Sequence, residues 1–335
     1  ASADTLLLKN GTKLEGKILK EDPQSYLVEV MVTKSIKEEK TIAKSDVAKI
    51  DRVKPDEIAF APLAKLTPAP DLLSAGEYKI RISKLEKFIQ EFPTGTSTPR
   101  AKAMLEDLQK EQAAVEEGGV KLNGNIIPAS EREANKVELA ARALELSIRA
   151  HFKASEFLAA LREFSVLEKD YSTTLPFKES IPIAKQAIEA YSAQISEISA
   201  SLPKRLEDRK VGLERMSSDD RNNSARAIGE QDAAVEKRFT EEKKSGVKWI
   251  TPDSFHKASL DDTTRFADQE LKRLQALKLD SKIDAGKAWR DAWAAVHGSD
   301  AKAVTTAMTD AKAAKISAAL IAELETIAKD AGLIK

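Results

Sequence analysis

The chain has 335 residues, with 54 Lys and Arg against 54 Asp and Glu, three histidines, no cysteine and 5% aromatic residues. Even charge balance argues against a dedicated nucleic-acid binder, which carries a basic excess. Absent cysteine removes disulfide scaffolds, thiol nucleophiles, iron–sulfur clusters and zinc fingers. The length fits about two or three domains, and no run approaches the ~18–20 apolar residues of a membrane helix.

The chain opens Ala1-Ser2-Ala3-Asp4. Ala-x-Ala is the pattern that precedes a signal-peptidase cut. Together with zero cysteine, it sets an expectation of export to the periplasm or cell envelope, with the signal removed. Residues 4–53 read as β. Thr5 to Lys9 is followed by Asn10-Gly11, the strongest short hairpin signal. Lys13 to Lys20 alternates around Leu14, Gly16 and Ile18, and Asp22-Pro23 turns the chain. Tyr26 to Val32 is a more buried third strand, and Lys34 to Lys40 is a loop around Ile36. Thr41–Lys44 and Ala48–Val53 complete five short strands, with Ser45-Asp46 between them. Gly16 in mid-strand is the expected bend that lets a small sheet curl into a barrel. The run Leu7, Asn10-Gly11, Gly16, with the hydrophobic third strand and Ser45-Asp46-Val47, resembles small Sm-like or SH3-like barrels of exported bacterial proteins. Basic and acidic residues balance over 1–57, so RNA binding is not carried across from that resemblance.

Pro55, Pro62, Pro68 and Pro70 mark a boundary, and the three prolines over 62–70 predict an extended, polyproline-like path. Its alternating leucines predict that it packs against something. Pro68-Ala-Pro-Asp-Leu72, followed by Glu77-Tyr78 and a helix, resembles the signature of the PTPDL family of bacterial proteins. That resemblance implies export and a β segment followed by helices; it implies no chemistry.

From Ser74 nearly everything reads as helix. Ser74-x-x-Glu77 is a capping box with Leu73 and Tyr78 at staple spacing. Tyr78, Ile82, Leu85, Ile89 and Phe92 form one stripe, and Pro93 and Gly95 end it. A second helix turns Ala101, Met104, Leu105 and Leu108 inward. Asn123-Gly124, between apolar pairs, predicts a β hairpin over 120–127. Ser130-x-x-Glu133 restarts helix, and stripes follow from Val137 to Phe152 and from Phe157 to Tyr171. Ala184, Ile188, Tyr191, Ile195, Ile198 and Leu202 make a heptad seam. The motif Lys87 to Thr94 followed by Ala101–Leu105 echoes Val166 to Thr173 followed by Ala184–Ile188. These aromatic-ended helix pairs resemble tetratricopeptide-like hairpins. Half of the residues over 203–244 are charged, which reads as a solvated helical hairpin capped at Ser217, with Pro203 kinking or restarting the chain. Thr251-Pro252 is a helix-start signal, and helices follow near 262–278, 282–297, 300–312 and 314–331.

Chemistry is sparse. His151, His256 and His297 lack the spacings of metal or catalytic motifs, so they read as surface or cap residues. Carboxylate pairs such as Asp219-Asp220 and Asp261-Asp262 complement helix dipoles. No dinucleotide, Walker or nucleophile-elbow motif occurs. Trp289 and Trp293 share one helix face at i, i+4. They anchor a helix in an Ala-rich core, or else form a sugar or peptide platform.

The sequence therefore predicts a mainly α fold, α+β overall. Its segments are a five-stranded barrel over 1–57, a proline-rich connector over 58–73, helical pairs with a hairpin over 74–202, a charged hairpin over 203–245 and a helical bundle over 246–335. The expected function is a non-catalytic envelope scaffold that holds a protein or peptide partner, with no cofactor, metal, nucleic acid or membrane span. Candidate interaction residues are Trp289, Trp293, Pro68, Pro70 and Asp71. The alternative is a glycan- or small-ligand-binding envelope protein, hydrolysis included, that uses the two tryptophans.

Overall fold

The computed structural model describes residues 4–31, 37–52, 54–279 and 283–334. Val32, Val53 and residues 34–36 of the expected Lys34–Lys40 loop lie outside them. The expected segments fall into two compact units, Ala1–Ala129 and Ser130–Lys335, so the 74–202 helical segment is divided between them.

The first unit opens with five antiparallel strands: β1 (Asp4–Leu8), β2 (Lys13–Glu21), β3 (Ser25–Met31), β4 (Lys37–Ala43) and β5 (Val47–Asp51), in the order β4-β3-β2-β1-β5. The first turn follows from Asn10-Gly11. Gly11 takes φ 84° and donates to Leu8 O at 2.9 Å, while Asn10 Oδ1 accepts from Thr12 N at 3.0 Å. Gly16 is sterically required. A Cβ there would lie 2.5 Å from Glu29 O and 2.8 Å from Val28 Cγ1. Leu6 and Val28 are the fully buried centre of the sheet. Leu19 is squeezed out between the pairs Ile18–Val28 and Lys20–Leu27, a bulge that adds twist. The fourth strand starts earlier than expected, at Lys37, because β3 offers a continuous edge. Seven residue pairs from Met31–Lys37 to Ser25–Ala43 zip together, with Lys37 bonded to Glu29 at 2.9 Å. What the sheet displays is five strands with β4 and β5 at its two ends; among the described residues no ladder joins them.

The connector departs from the expected polyproline path. Pro55 starts α1 (Pro55–Phe60), and a single helical turn follows at Leu63–Lys65. Pro55 stands in the first turn, where its missing N–H is no loss. The apolar residues of this stretch have a destination: Phe60 and Ala69 are buried, and Leu63, Leu66 and Leu73 pack, against α2 (Ala75–Glu91) and α3 (Thr98–Glu116). Their core is Tyr78, Ile82, Leu85, Phe88, Ala101, Met104 and Leu108. The capping box at Ser74 forms in both directions, with Ser74 N to Glu77 Oε2 at 2.8 Å and Glu77 N to Ser74 Oγ at 3.3 Å. The hairpin of β6 (Val120–Leu122) and β7 (Asn125–Ile127) stands where Asn123-Gly124 placed it.

The second unit is helical. Its elements are α4 (Lys136–Lys153), α5 (Phe157–Tyr171), α6 (Leu175–Glu214), α7 (Ser218–Lys244), α8 (Lys257–Ala276), α9 (Ala285–Val296), α10 (Ala301–Ala313) and α11 (Ala318–Asp330). The restart expected at Ser130 comes at Lys136 instead. Two short 3-10 turns precede it, and Asn135 Nδ2 holds Glu131 O at 2.9 Å. Helices α4, α5, α6 and α8 share one core, which includes the heptad residues Ala184, Ile188, Tyr191, Ile195 and Leu202. Helices α9 to α11 enclose a second core around Trp289, Val304 and Leu324.

At 40 residues, α6 is about 60 Å long. It runs through Pro182 and Pro203 without a restart. In the turn before Pro203, Ser201 Oγ donates to Glu197 O at 2.9 Å and the Arg205 guanidinium to Ile198 O at 2.8 Å. Only Val235 and Phe239 of α7 are buried, and Ser217 caps it. Thr251 does not begin α8; His256 does, with its ring nitrogen accepting from Ser259 N at 3.3 Å.

Candidate interaction site

The motif segment is built by a clamp. The hairpin turn puts Asn123 at φ 50° and Gly124 at φ 78°, the paired positive values of a two-residue hairpin loop. Asp71 accepts the Asn123 N–H at 2.8 Å and the Gly124 N–H at 3.1 Å through its two carboxylate oxygens. Next to it, Leu72 N donates to Lys121 O at 3.0 Å. Asp71 thus ties the C-terminal end of Pro68-Ala-Pro to the hairpin turn. Ala69 is buried between the exposed rings of Pro68 and Pro70. Motif and turn are both legible in the sequence; their meeting across 52 residues is not.

Thr67, Pro68 and Ala69 form one wall of a depression of about 470 Å³, and Asp107, Lys110 and Glu111 of α3 form the other. Glu111 is satisfied from behind. It accepts from Tyr78 Oη at 2.9 Å and from Lys121 Nζ. Lys121 is only 3% exposed, so its ammonium depends on this carboxylate. Burial, then the bond to Glu111, pushes the Tyr78 phenol well above its ordinary value. Lys110 pairs with Glu106 at 2.7 Å, and Asp107 stays exposed at the mouth. Glu111 and Lys121 escaped sequence reasoning. The one signal was a lysine flanked by Val120 and Leu122 in a short strand.

Trp289 and Trp293 do stack, with centroids 6.0 Å apart, yet they form no open platform. Trp289 is fully buried and its indole N–H donates to Glu133 O at 2.8 Å. Trp293 is half-buried and lies between Trp289 and His297, whose ring is 4.4 Å away. Of the two, only Trp293 retains an exposed portion.

A second pinned loop lies between α7 and α8. Glu242 accepts from Thr251 N and Thr251 Oγ1, both at 2.6 Å, and Arg162 donates to Trp249 O and Thr251 Oγ1, both at 2.9 Å. Burial alone would raise the Glu242 pKa. The Thr251 bonds and the charges of Arg162 and Arg238 outweigh it and hold the carboxyl below its ordinary value. Trp249 plugs the loop into the core, edge-on to Phe266 at 4.8 Å and to Tyr191 at 6.2 Å. Glu168 binds Lys248 at 2.8 Å and Arg273 at 2.7 Å. The anchored loop presents Val247 and Ile250 beside Phe266, around a depression of about 380 Å³.

The histidines take local roles. His256 caps α8, His297 bonds Trp293 O at 2.8 Å, and His151 is held above its ordinary pKa by its bond to Glu156. Among the described residues no group of three His, Cys, Asp or Glu is placed to hold a metal ion, and no helix is long and apolar enough to cross a membrane. No protein-family model, curated protein or solved structure matches the chain.

Proposed function

We propose that this chain is a non-catalytic, exported scaffold of the bacterial cell envelope that binds a protein or peptide partner. One observation carries the reading: Asp71 ties down the Pro68–Pro70 segment, and the exposed Pro68 ring stands in the wall of a formed depression. A preset surface loses little conformational entropy on binding. Exposed prolines beside acidic and basic side chains suit a peptide or loop rather than a buried small molecule. In this reading the chain groups with the PTPDL proteins, its N-terminal sheet is a small Sm-like barrel, and α4 to α6 work as tetratricopeptide-like pairs. The envelope location follows from that family resemblance.

The test is site-specific photo-crosslinking in the native host. A photoreactive residue at Lys110, at the depression, should give one defined crosslinked partner. The same probe at Arg226, exposed on α7, should not. Asp71→Ala and Pro68→Ala/Pro70→Ala should each reduce the product at least about fivefold. Equal labelling at both positions, or labelling indifferent to those substitutions, would remove the reading. Cell fractionation tests the location.

A further inference from the structure

We propose that the depression at the α7–α8 corner takes a peptide segment in which a large apolar residue sits beside a carboxylate. This rests on the partner-binding reading and gives it a second surface with a defined chemistry.

Three features define that chemistry. The floor is apolar: Val247 is 36% exposed, with Ile250 and Phe266 beside it. An exposed valine on a loop that so many bonds hold in place is a formed contact surface rather than a fraying tip. The rim has an uneven charge. Lys243 and Arg265 both pair with the one carboxylate of Asp262, the lysine at 2.6 Å. Lys248 and Arg273 are matched separately by Glu168 and Glu270. Two cations over one anion leave room for an incoming carboxylate, and the excess steers it. Finally, the Gln269 side-chain amide lines the same depression with no hydrogen bond to another described residue. It offers a donor and an acceptor to a peptide backbone. Asp268, one residue away, lines the neighbouring depression across the Arg265–Gln269 ridge.

The experiment titrates isotope-labelled full-length chain with three blocked tetrapeptides, read by amide chemical shifts. The probes are acetyl-Glu-Leu-Phe-Glu-amide, acetyl-Lys-Leu-Phe-Lys-amide and acetyl-Glu-Ser-Ser-Glu-amide. The first should shift the amides of Gly246–Ile250 and Phe266–Gln269 saturably. The lysine version should bind at least about fivefold more weakly, and the serine version should leave these amides unmoved. Val247→Glu should weaken the first peptide at least about tenfold without disturbing the fold, because Val247 is at the surface. Arg265→Glu should reverse the preference toward the lysine peptide. Equal affinity for both charged peptides, or saturable shifts confined to other regions, or no shift at millimolar peptide, would overturn the proposal. The crosslink at Lys110 reads the broader function separately. If it survives while the peptides fail, only this second surface is lost; if both fail, the partner-binding reading goes as well.

Discussion

Glu111 sits between two groups that need it, and removing its charge separates their demands. In Glu111→Gln the Tyr78 hydroxyl keeps an acceptor, but the Lys121 ammonium, at 3% side-chain exposure, loses its counter-charge. Breaking a buried pair from the side that strands a charge costs about 3–5 kcal/mol. Glu111 is itself 22% exposed, so water reaches the edge of the pair and the lower end, about 3 kcal/mol, is expected. Lys121→Met is the milder change. It leaves Glu111 with the Tyr78 bond and its exposed edge, at a cost of about 1 kcal/mol. The double variant Glu111→Gln/Lys121→Met should recover most of the first loss. Trp249, Trp289 and Trp293 all lie in the second unit, so tryptophan emission does not report on this site. Native-state hydrogen exchange of the α2 and α3 core amides is the readout, and 3 kcal/mol corresponds to roughly a hundredfold faster exchange. Equal effects of the two single variants, or no recovery in the double, would refute the claim that the stranded ammonium dominates.

Three other expectations follow from the geometry. Gly16→Ala drives a methyl into the Glu29 carbonyl, so β2 and β3 must part; a loss of about 1–3 kcal/mol is expected, read as faster exchange across the β2–β3 ladder. Trp289→Ala should cost about 3–5 kcal/mol and lower the melting temperature by about 10 °C, whereas Trp293→Ala, at a half-buried position, should cost under about 2 kcal/mol; calorimetry separates them. The Glu242 carboxyl is held below its ordinary 4.5 in the folded chain, so its stabilisation is present above pH 4.5 and is lost as pH falls further. Protection of the Thr251 amide, corrected for intrinsic exchange, should drop below pH 4.5 in the native chain and be low throughout in Glu242→Gln.

What could be read directly was whatever a few neighbouring residues decide. Asn10-Gly11 and Asn123-Gly124 each made a turn because that dipeptide tolerates positive φ. Ser74 and Glu77 capped α2 because both bonds lie within one turn. The heptad from Ala184 to Leu202 is buried because its spacing puts it on one face. Local signals misled at two points. Pro203 was expected to kink or restart the chain, but α6 continues through it to Glu214 without a restart. The Thr251 signal for a helix start was overridden because Glu242 takes its amide and hydroxyl.

The sequence by itself determined a mainly helical chain behind an N-terminal five-stranded sheet, since strand alternation, turn dipeptides and helical stripes are short-range and written in order. Only the tertiary structure decided which distant polar groups meet. Asp71 reaches the 123–124 turn, Lys121 buries its charge on Glu111, and Glu242 locks the 246–251 loop. Lys121 carries a charge that cannot be left unpaired once packing has removed water, and that demand appears only after the chain has folded around it; the 123–124 turn and the Thr251 amide come within reach of Asp71 and Glu242 through the same folding.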